Sequence, residues 1–495
     1  MSATETVQPA QPGTRPANPP GRVRVVGAVF AVLFGLLLLR NVWLFTLAVH
    51  ESGDSAANSI VTYQAKHFRL LVGNYSRVGF SHPGPAYFYV QAVGEWLLHD
   101  VAHLVPTPWN GEAVAVLALN AAVLAVTMSV LAGWYRSWPA IGLGVAVLLG
   151  YTTVYSGLFS TVWMPLEYIA PFLLLLTAGA SVTAGRTGDL WALALAGGLL
   201  VHGHAEFLGF VPVLTAVPLV AAVRRRAPRA HWLAFAAVVA VFAVPIGLNL
   251  ALHWPGEFGK YLSYGGSVHH GLGAALRYTL RAAPASVLLL PAAALVAWRM
   301  EAGPSRSLLR AGLALAVLAT VAFTGYALRG IDDLRADYVG DFLRAVPLLL
   351  LLLLLLLVCL LPMGVLPVGV LPVHRAVTAG ALAVAVVAAL AVPAALLTPR
   401  EDADEVPGVL ADLRTRAAGR PVVVDLDHDA WPVLDALVIG GRRYGPRVCA
   451  DDPQWTFMVT REFVCTDRER AAGLRVRLAV TPGGRRLGTV WLSGL

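Results

Sequence analysis

The chain has 495 residues, 57% of them hydrophobic and only 13% charged, with a net charge of +8. A soluble globular protein is nearer a quarter charged, so this composition excludes an ordinary water-soluble enzyme and points to a polytopic membrane protein. Nor is the positive balance a nucleic-acid signature: the bases are scattered over loops and the C-terminal part, and all but Lys66 and Lys260 are arginine.

Residues 1–22 are rich in Pro, Ala, Thr and Gln and are expected to be a disordered cytoplasmic tail. Arg22 and Arg24 precede a first apolar span at 25–48, which orients the N-terminus inwards by the positive-inside tendency. The loop 49–84 is then extracytoplasmic, and within it Ile60 to Leu71 reads as a short amphipathic helix lying on the membrane surface. Further apolar runs fall near 85–104, 113–133, 138–155, 165–183, 190–223, 232–253, 284–300, 308–328, 343–361 and 375–397. Runs of 18 or more residues are long enough to cross ~30 Å of hydrocarbon. Arg224, Arg225, Arg226 and Arg229 mark one cytoplasmic turn, Arg299, Arg306 and Arg310 a second, and His374 with Arg375 a third. The loops 254–283 and 329–342, and everything after 397, then face outside. Counting 190–223 as one crossing gives eleven transmembrane helices over 23–398. That run holds His202, His204 and Glu206 at its middle, so two short helices are the alternative.

From 399 to 495 the sequence changes character. Glu405 to Ala418 reads as a helix, Val422 to Val424 as a strand and Trp431 to Arg442 as a second helix, with short strands near 446–449, 456–460, 474–480 and 488–492. This is a small α/β domain of about 95 residues, enough for a modest core of its own. Cys449 and Cys465 can pair if the domain faces an oxidising compartment; Cys359, inside an apolar run, reads as inert.

The chemistry-bearing stretch is Glu51 to Tyr89. Asp54 follows the first span closely, at the membrane–water boundary, where an acid is well placed as a general base; equally, it could cap a helix beginning at Ser55. His82-Pro83-Gly84-Pro85 opens the next apolar run, whose first turn is Tyr87, Phe88 and Tyr89. Proline suits the first turn of a helix, Gly84 permits close approach of another segment, and His82 at the helix mouth could meet a phosphate. An interfacial aromatic belt is the plainer alternative. His202 and His204, two apart on an expected helix, point roughly 200° from one another and do not converge on a metal. They read, with Glu206, as a lipid-phosphate contact or a packed polar cluster. Asp425, Asp427, His428 and Asp429 follow a strand end but also read as a helix cap.

An early acid in the first outer loop (Asp54) and a helix opened by His82 to Tyr89 resemble the GT-C superfamily, the polyprenyl-phosphate-sugar-dependent membrane glycosyltransferases. Its members include protein mannosyltransferases, aminoarabinose transferases and bacterial arabinosyltransferases. Trp163-Met164-Pro165, opening a span, is similar to the bacterial members, and the run Asp427 to Pro432 with Trp455, Phe457 and Met458 resembles an outer domain of actinobacterial ones. The resemblance implies a GT-C-like fold in the plasma membrane. It also implies inverting transfer from a polyprenyl-phosphate donor to a cell-envelope glycan, lipid or protein acceptor at the outer face, with Asp54 as base. The phosphate would need cationic or N–H partners, for which His82, His269, His270, Arg281, Arg329 and Arg335 are candidates. Glu51, Tyr87, Tyr89, His202 and Glu206 complete the expected substrate-binding set, and Trp431 and Trp455 offer stacking faces for a glycan. The superfamily commonly carries a second acid beside the first; here the neighbours of Asp54 are Gly53 and Ser55, and the nearest acid is Glu51. A divalent cation, Mg or Mn, stays open, and no metal ligand set is assigned. Two other readings compete. A lipid-linked-sugar flippase or transporter should show paired halves with mid-span charges, and no internal repeat is visible. A non-catalytic scaffold with an outer glycan-binding domain would leave the polar residues of 51–89 without a role.

Overall fold

The computed structural model describes residues 21–358 and 401–494, apart from 77, 156, 266, 267 and 489. The span expected at 375–397, the turn at His374 and Arg375, Cys359 and most of the expected N-terminal tail lie outside the described residues.

In chain order, α1 (Arg22–Arg40) buries Val25, Val29, Leu33 and Leu37, one residue per turn. After Gly53, α2 (Asp54–Lys66) is followed by α3 (Ala86–Gly94), which widens into a π-helical stretch over Glu95–Val101. Next come α4 (Pro108–Tyr135), α5 (Trp138–Val154), α6 (Met164–Ala184), α7 (Leu190–Gly203), α8 (Phe207–Arg224) and α9 (Arg229–His253). Two amphipathic pieces, α10 (Phe258–Gly265) and α11 (Leu272–Ala282), lead to α12 (Ser286–Arg299), α13 (Pro304–Arg329) and α14 (Ala345–Val358).

Among the described residues, seven helices are long and apolar enough to cross a membrane, or eight if α11 and α12, bent 80° at their junction, form one broken span. This polytopic helical body agrees with the composition; of the eleven expected crossings, seven or eight are found among the described residues. The 138–155 run is a helix of 17 residues. The 85–104 run yields a nine-residue α3, and its continuation carries the buried Glu95. The 190–223 run is two helices: His204 is extended (φ −150°, ψ 141°), so α7 ends and α8 starts afresh at Phe207.

Gly94 and Gly111 set the crossing of α3 on α4. A Cβ on Gly94 would lie 2.3 Å from the Gly111 carbonyl oxygen, and one on Gly111 2.8 Å from that of Gly94. Only glycine lets two backbones approach this closely, and the contact brings the next residues, Glu95 and Glu112, to the same place.

The C-terminal domain comprises α15 (Glu401–Ala417), β1 (Val422–Leu426), α16 (Trp431–Tyr444), β2 (Val448–Ala450), α17 (Asp467–Ala472), β3 (Leu474–Ala479), β4 (Arg485–Leu487) and β5 (Val490–Ser493). The sheet order is β2-β1-β3-β5-β4, with β1 parallel to β2 and β3, and β5 antiparallel to β3 and β4. Val422, Val423 and Val424 are all buried, as expected of a parallel strand covered on both faces. The strand expected at 456–460 is instead one helical turn, Thr456–Val459. The reason is local: Asp452 caps the Gln454 N–H and Pro453 starts a turn that runs straight into it.

This domain does not stand apart. Ala56 and Ile60 of α2 are buried in the same core as Val433, Leu437 and Val424. The helix expected to lie on the membrane surface from Ile60 is therefore a buried element starting at Asp54, because the C-terminal domain covers the face that lipid would otherwise meet.

Candidate active site

A cavity of about 500 Å³ lies between the loop 74–82, the α7–α8 break, the segment 330–339 and the C-terminal domain. That volume suits a small ligand. Its wall includes Asp54, Tyr75, Trp163, His82, His204, Glu206, Tyr261, Tyr264, Tyr326 and Asp332, and from the C-terminal domain His428, Trp431, Trp455 and Phe457.

Asp54 occupies the first turn of α2. Gly53 before it has φ +55°, a region open in practice to glycine, and donates its N–H to the Pro432 carbonyl at 3.1 Å. The exposed carboxylate of Asp54 accepts from the Tyr75 hydroxyl at 2.5 Å and from the Trp163 indole N–H at 3.2 Å. Burial, with the Asp54 charge adding to it, pushes the Tyr75 hydroxyl far up from its ordinary value, so Tyr75 stays a donor. Two donors hold the carboxylate aimed into the cavity.

His82 is fixed by its backbone, which donates to the Asn74 carbonyl and accepts from the Gly73 N–H, both at 2.7 Å. Its Nδ1 accepts from the Ala205 N–H at 3.2 Å, and its ring lies 4.0 Å from that of His204. Burial pushes its pKa well below the usual value, with His204 adding to the effect. His82 is thus a neutral imidazole in the resting protein. Glu206 is buried 3.6 Å from His204, with one carboxylate oxygen lacking a hydrogen-bond partner among the described residues.

The other expected residues lie elsewhere. His202 is not in the wall: its Nδ1 accepts from the Ala86 N–H at 3.2 Å and its Nε2 donates to the Phe242 carbonyl at 2.7 Å. Gly84 makes room for this ring, since a Cβ there would lie 2.4 Å from it. Tyr87 is buried against Tyr168, and Tyr89 donates to the Leu70 carbonyl. His270 donates to the Ile331 carbonyl at 2.7 Å, tying down the 330–339 segment, while His269 is exposed. Arg281 donates to the Leu334 carbonyl at 2.6 Å, and Arg335, 91% exposed, pairs with Asp333. Glu51 is taken up by the buried Arg443 of α16, which also meets Glu95 at 3.1 Å and Glu112 at 2.8 Å. Lys66 supplies a second cation to Glu95 at 2.7 Å. No arginine or lysine is among the described residues of the wall. Nor, among the described residues, is any group of three or more His, Cys, Asp or Glu placed to hold a metal ion.

Cys449 is disulfide-bonded to Cys465. Trp455, Phe457 and Met458 of the cavity wall fall inside the loop that this bond closes.

Sequence reasoning missed Tyr75, Trp163 as a donor to Asp54, and Asp435. The last had a readable signal: one acid within Val433-Leu434-Asp435-Ala436-Leu437-Val438 on an expected helix. An acid on a buried face is rarely tolerated without a task.

No protein-family model matches this chain, and no curated protein matches it.

Proposed function

We propose that the protein is an inverting membrane glycosyltransferase of the GT-C type, taking its sugar from a polyprenyl-phosphate donor. The observation that carries this reading is the placement of Asp54: an oriented carboxylate in the wall of an aromatic-rich cavity beside membrane-spanning helices. In the reaction, Asp54 takes the proton of an acceptor hydroxyl, whose oxygen attacks the anomeric carbon from the face opposite the phosphate. The carbon–oxygen bond to the phosphate breaks and its electron pair leaves with the polyprenyl phosphate. Trp431 and Trp455 offer apolar faces on which a sugar ring stacks. The disulfide supports an extracytoplasmic location for the C-terminal domain, since such bonds persist in oxidising compartments.

With no arginine or lysine in the described wall, the departing phosphate draws on other donors. His204 lines the same cavity, and with its Nδ1 accepting from the Glu206 N–H its Nε2–H is left as a donor. Lipid and acceptor identity are matters for a donor panel. Full-length protein in nanodiscs is incubated with radiolabelled polyprenyl-phosphate sugars and crude envelope acceptor, with and without EDTA. Wild type is expected to consume one donor, and Asp54→Asn to lose about 10²–10⁴-fold in rate. Consumption of no donor by folded wild type, or equal rates in both proteins, would overturn the proposal.

A further inference from the structure

Helix α16 of the C-terminal domain runs alongside α2 in matched register. Pro432 accepts from the Gly53 N–H at 3.1 Å, and ten residues on, Arg442 donates to the Tyr63 hydroxyl at 2.7 Å, Tyr63 itself being ten residues after Gly53. On α2 the stripe between these points is Ala56 and Ile60, both buried in the shared core. On α16, Asp435 lies three residues after Pro432, so it falls on the same face and points at the start of α2. Its side chain is fully buried, and neither carboxylate oxygen has a hydrogen-bond partner among the described residues.

A buried carboxylate without a partner is too costly to remain ionised; it takes up a proton. Burial, and then the charge of Asp54, push Asp435 well above the ordinary carboxylate range. The titratable groups that face it are Asp54 from α2 and Tyr75 from the outer loop, with Tyr338 beyond Tyr75. The other charges of α16, Arg442 and Arg443, are two turns further on and are engaged with Tyr63 and with Glu51, Glu95 and Glu112.

We propose that Asp435, a buried carboxyl that the docked C-terminal domain packs against the start of α2, carries a proton of its own beside Asp54 and so completes the base across the domain seam. Asp435 is a positioning residue in this arrangement: it touches no substrate, and it acts by controlling the charge beside Asp54. While Asp435 is protonated, Asp54 is a lone carboxylate held by Tyr75 and Trp163. When Asp435 ionises, a second negative charge stands beside Asp54. The placement of Asp435 against the start of α2 stands on packing and on the Gly53–Pro432 hydrogen bond; only its use in a base rests on the transferase reading.

The test is infrared pH titration of the full-length protein in nanodiscs, with wild type, Asp435→Asn and Asp54→Asn. Asparagine keeps the shape at 435 and, like the protonated acid, carries no charge. Wild type is expected to show a protonated-carboxyl band at neutral pH that is missing in Asp435→Asn. In Asp54→Asn the midpoint of that band is expected to fall by one pH unit or more, because the neighbouring negative charge is gone. No such band in wild type, or a midpoint unmoved in Asp54→Asn, would overturn the proposal. In the donor assay, the pH–rate profile of wild type is expected to differ from that of Asp435→Asn, which has no titratable group at 435; matching pH profiles would overturn the role of Asp435 in the base. If wild type turns over no donor, the transferase reading fails, and the infrared result still decides whether Asp435 carries its proton beside Asp54.

Discussion

Gly53 and Pro432 are joined by a hydrogen bond of 3.1 Å from the N–H of one to the carbonyl of the other, across 379 residues of sequence (432 − 53). The bond fixes the turn that aims Asp54, and it exists only while the C-terminal domain is docked. A Cβ on Gly53 would meet Pro432 at 3.6 Å, an ordinary contact, but the positive φ is one that a side chain resists. Gly53→Ala is therefore expected to cost about 1–3 kcal/mol through backbone strain and to lower the transfer rate as well. Gly419→Ala is the control: φ is +88° with open space around it, remote from Asp54 in the C-terminal domain. It should lose comparable stability in thermal unfolding and keep its activity.

Arg443 is the second tie between the two parts. It is 7% exposed and faces three carboxylates, one from the first outer loop and two from α3–α4. Removing one partner of a buried ion pair leaves the rest uncompensated, at a cost of about 3–5 kcal/mol. Arg443→Met is expected to fall in that range, measured by denaturant unfolding in detergent. Adding Glu112→Gln should recover part of the loss, giving a coupling energy in a double-mutant cycle. Strictly additive losses would mean the two side chains do not interact.

His82 gives the protein an acid sensitivity with a definite sign. Its folded-state value lies well below the ordinary one because the ring is buried neutral beside His204. A depressed value means that the stability it contributes is fully present above about pH 6.5 and is lost as pH falls toward the folded-state value. The slope for one proton is about 1.4 kcal/mol per pH unit. Unfolding measured from pH 7 downwards should show this loss in wild type and a flatter profile in His82→Gln, which keeps a hydrogen-bonding group in place. Identical profiles would show that His82 does not govern it.

The membrane-spanning body was legible because hydrocarbon thickness imposes a minimum apolar length that any reader can count. That Asp54 lies in the cavity wall had one local cue, its place soon after such a run. The break at His204 was not legible, because the apolar run continues through it and only tertiary contacts, His202 to Phe242 and His204 to His82, make two helices of it. Nor was the fate of Glu51, since its partner Arg443 is 392 residues distant. The strand pattern at 456–460 misled because Asp452 and Pro453, just ahead of it, start a helical turn instead. What sequence hides throughout is the docking of the last hundred residues on α2, because side chains that meet there share no local pattern.

The disulfide links this docking to ligand binding. The 16-residue separation between Cys449 and Cys465 corresponds to a stabilisation of about 3 kcal/mol by the loop-closure argument. Trp455, Phe457 and Met458 sit inside that loop and form part of the cavity wall. Opening it frees three apolar side chains that Asp54 does not depend on for its own hydrogen bonds, which come from Tyr75 and Trp163. The paired substitution Cys449→Ser with Cys465→Ser is therefore expected to unfold about 3 kcal/mol more easily. In the donor assay KM should rise while kcat changes less, the pattern of lost ground-state binding. Reductant should reproduce both effects in wild type and neither in the double variant. An unchanged KM would mean that the aromatic wall does not contact the substrate.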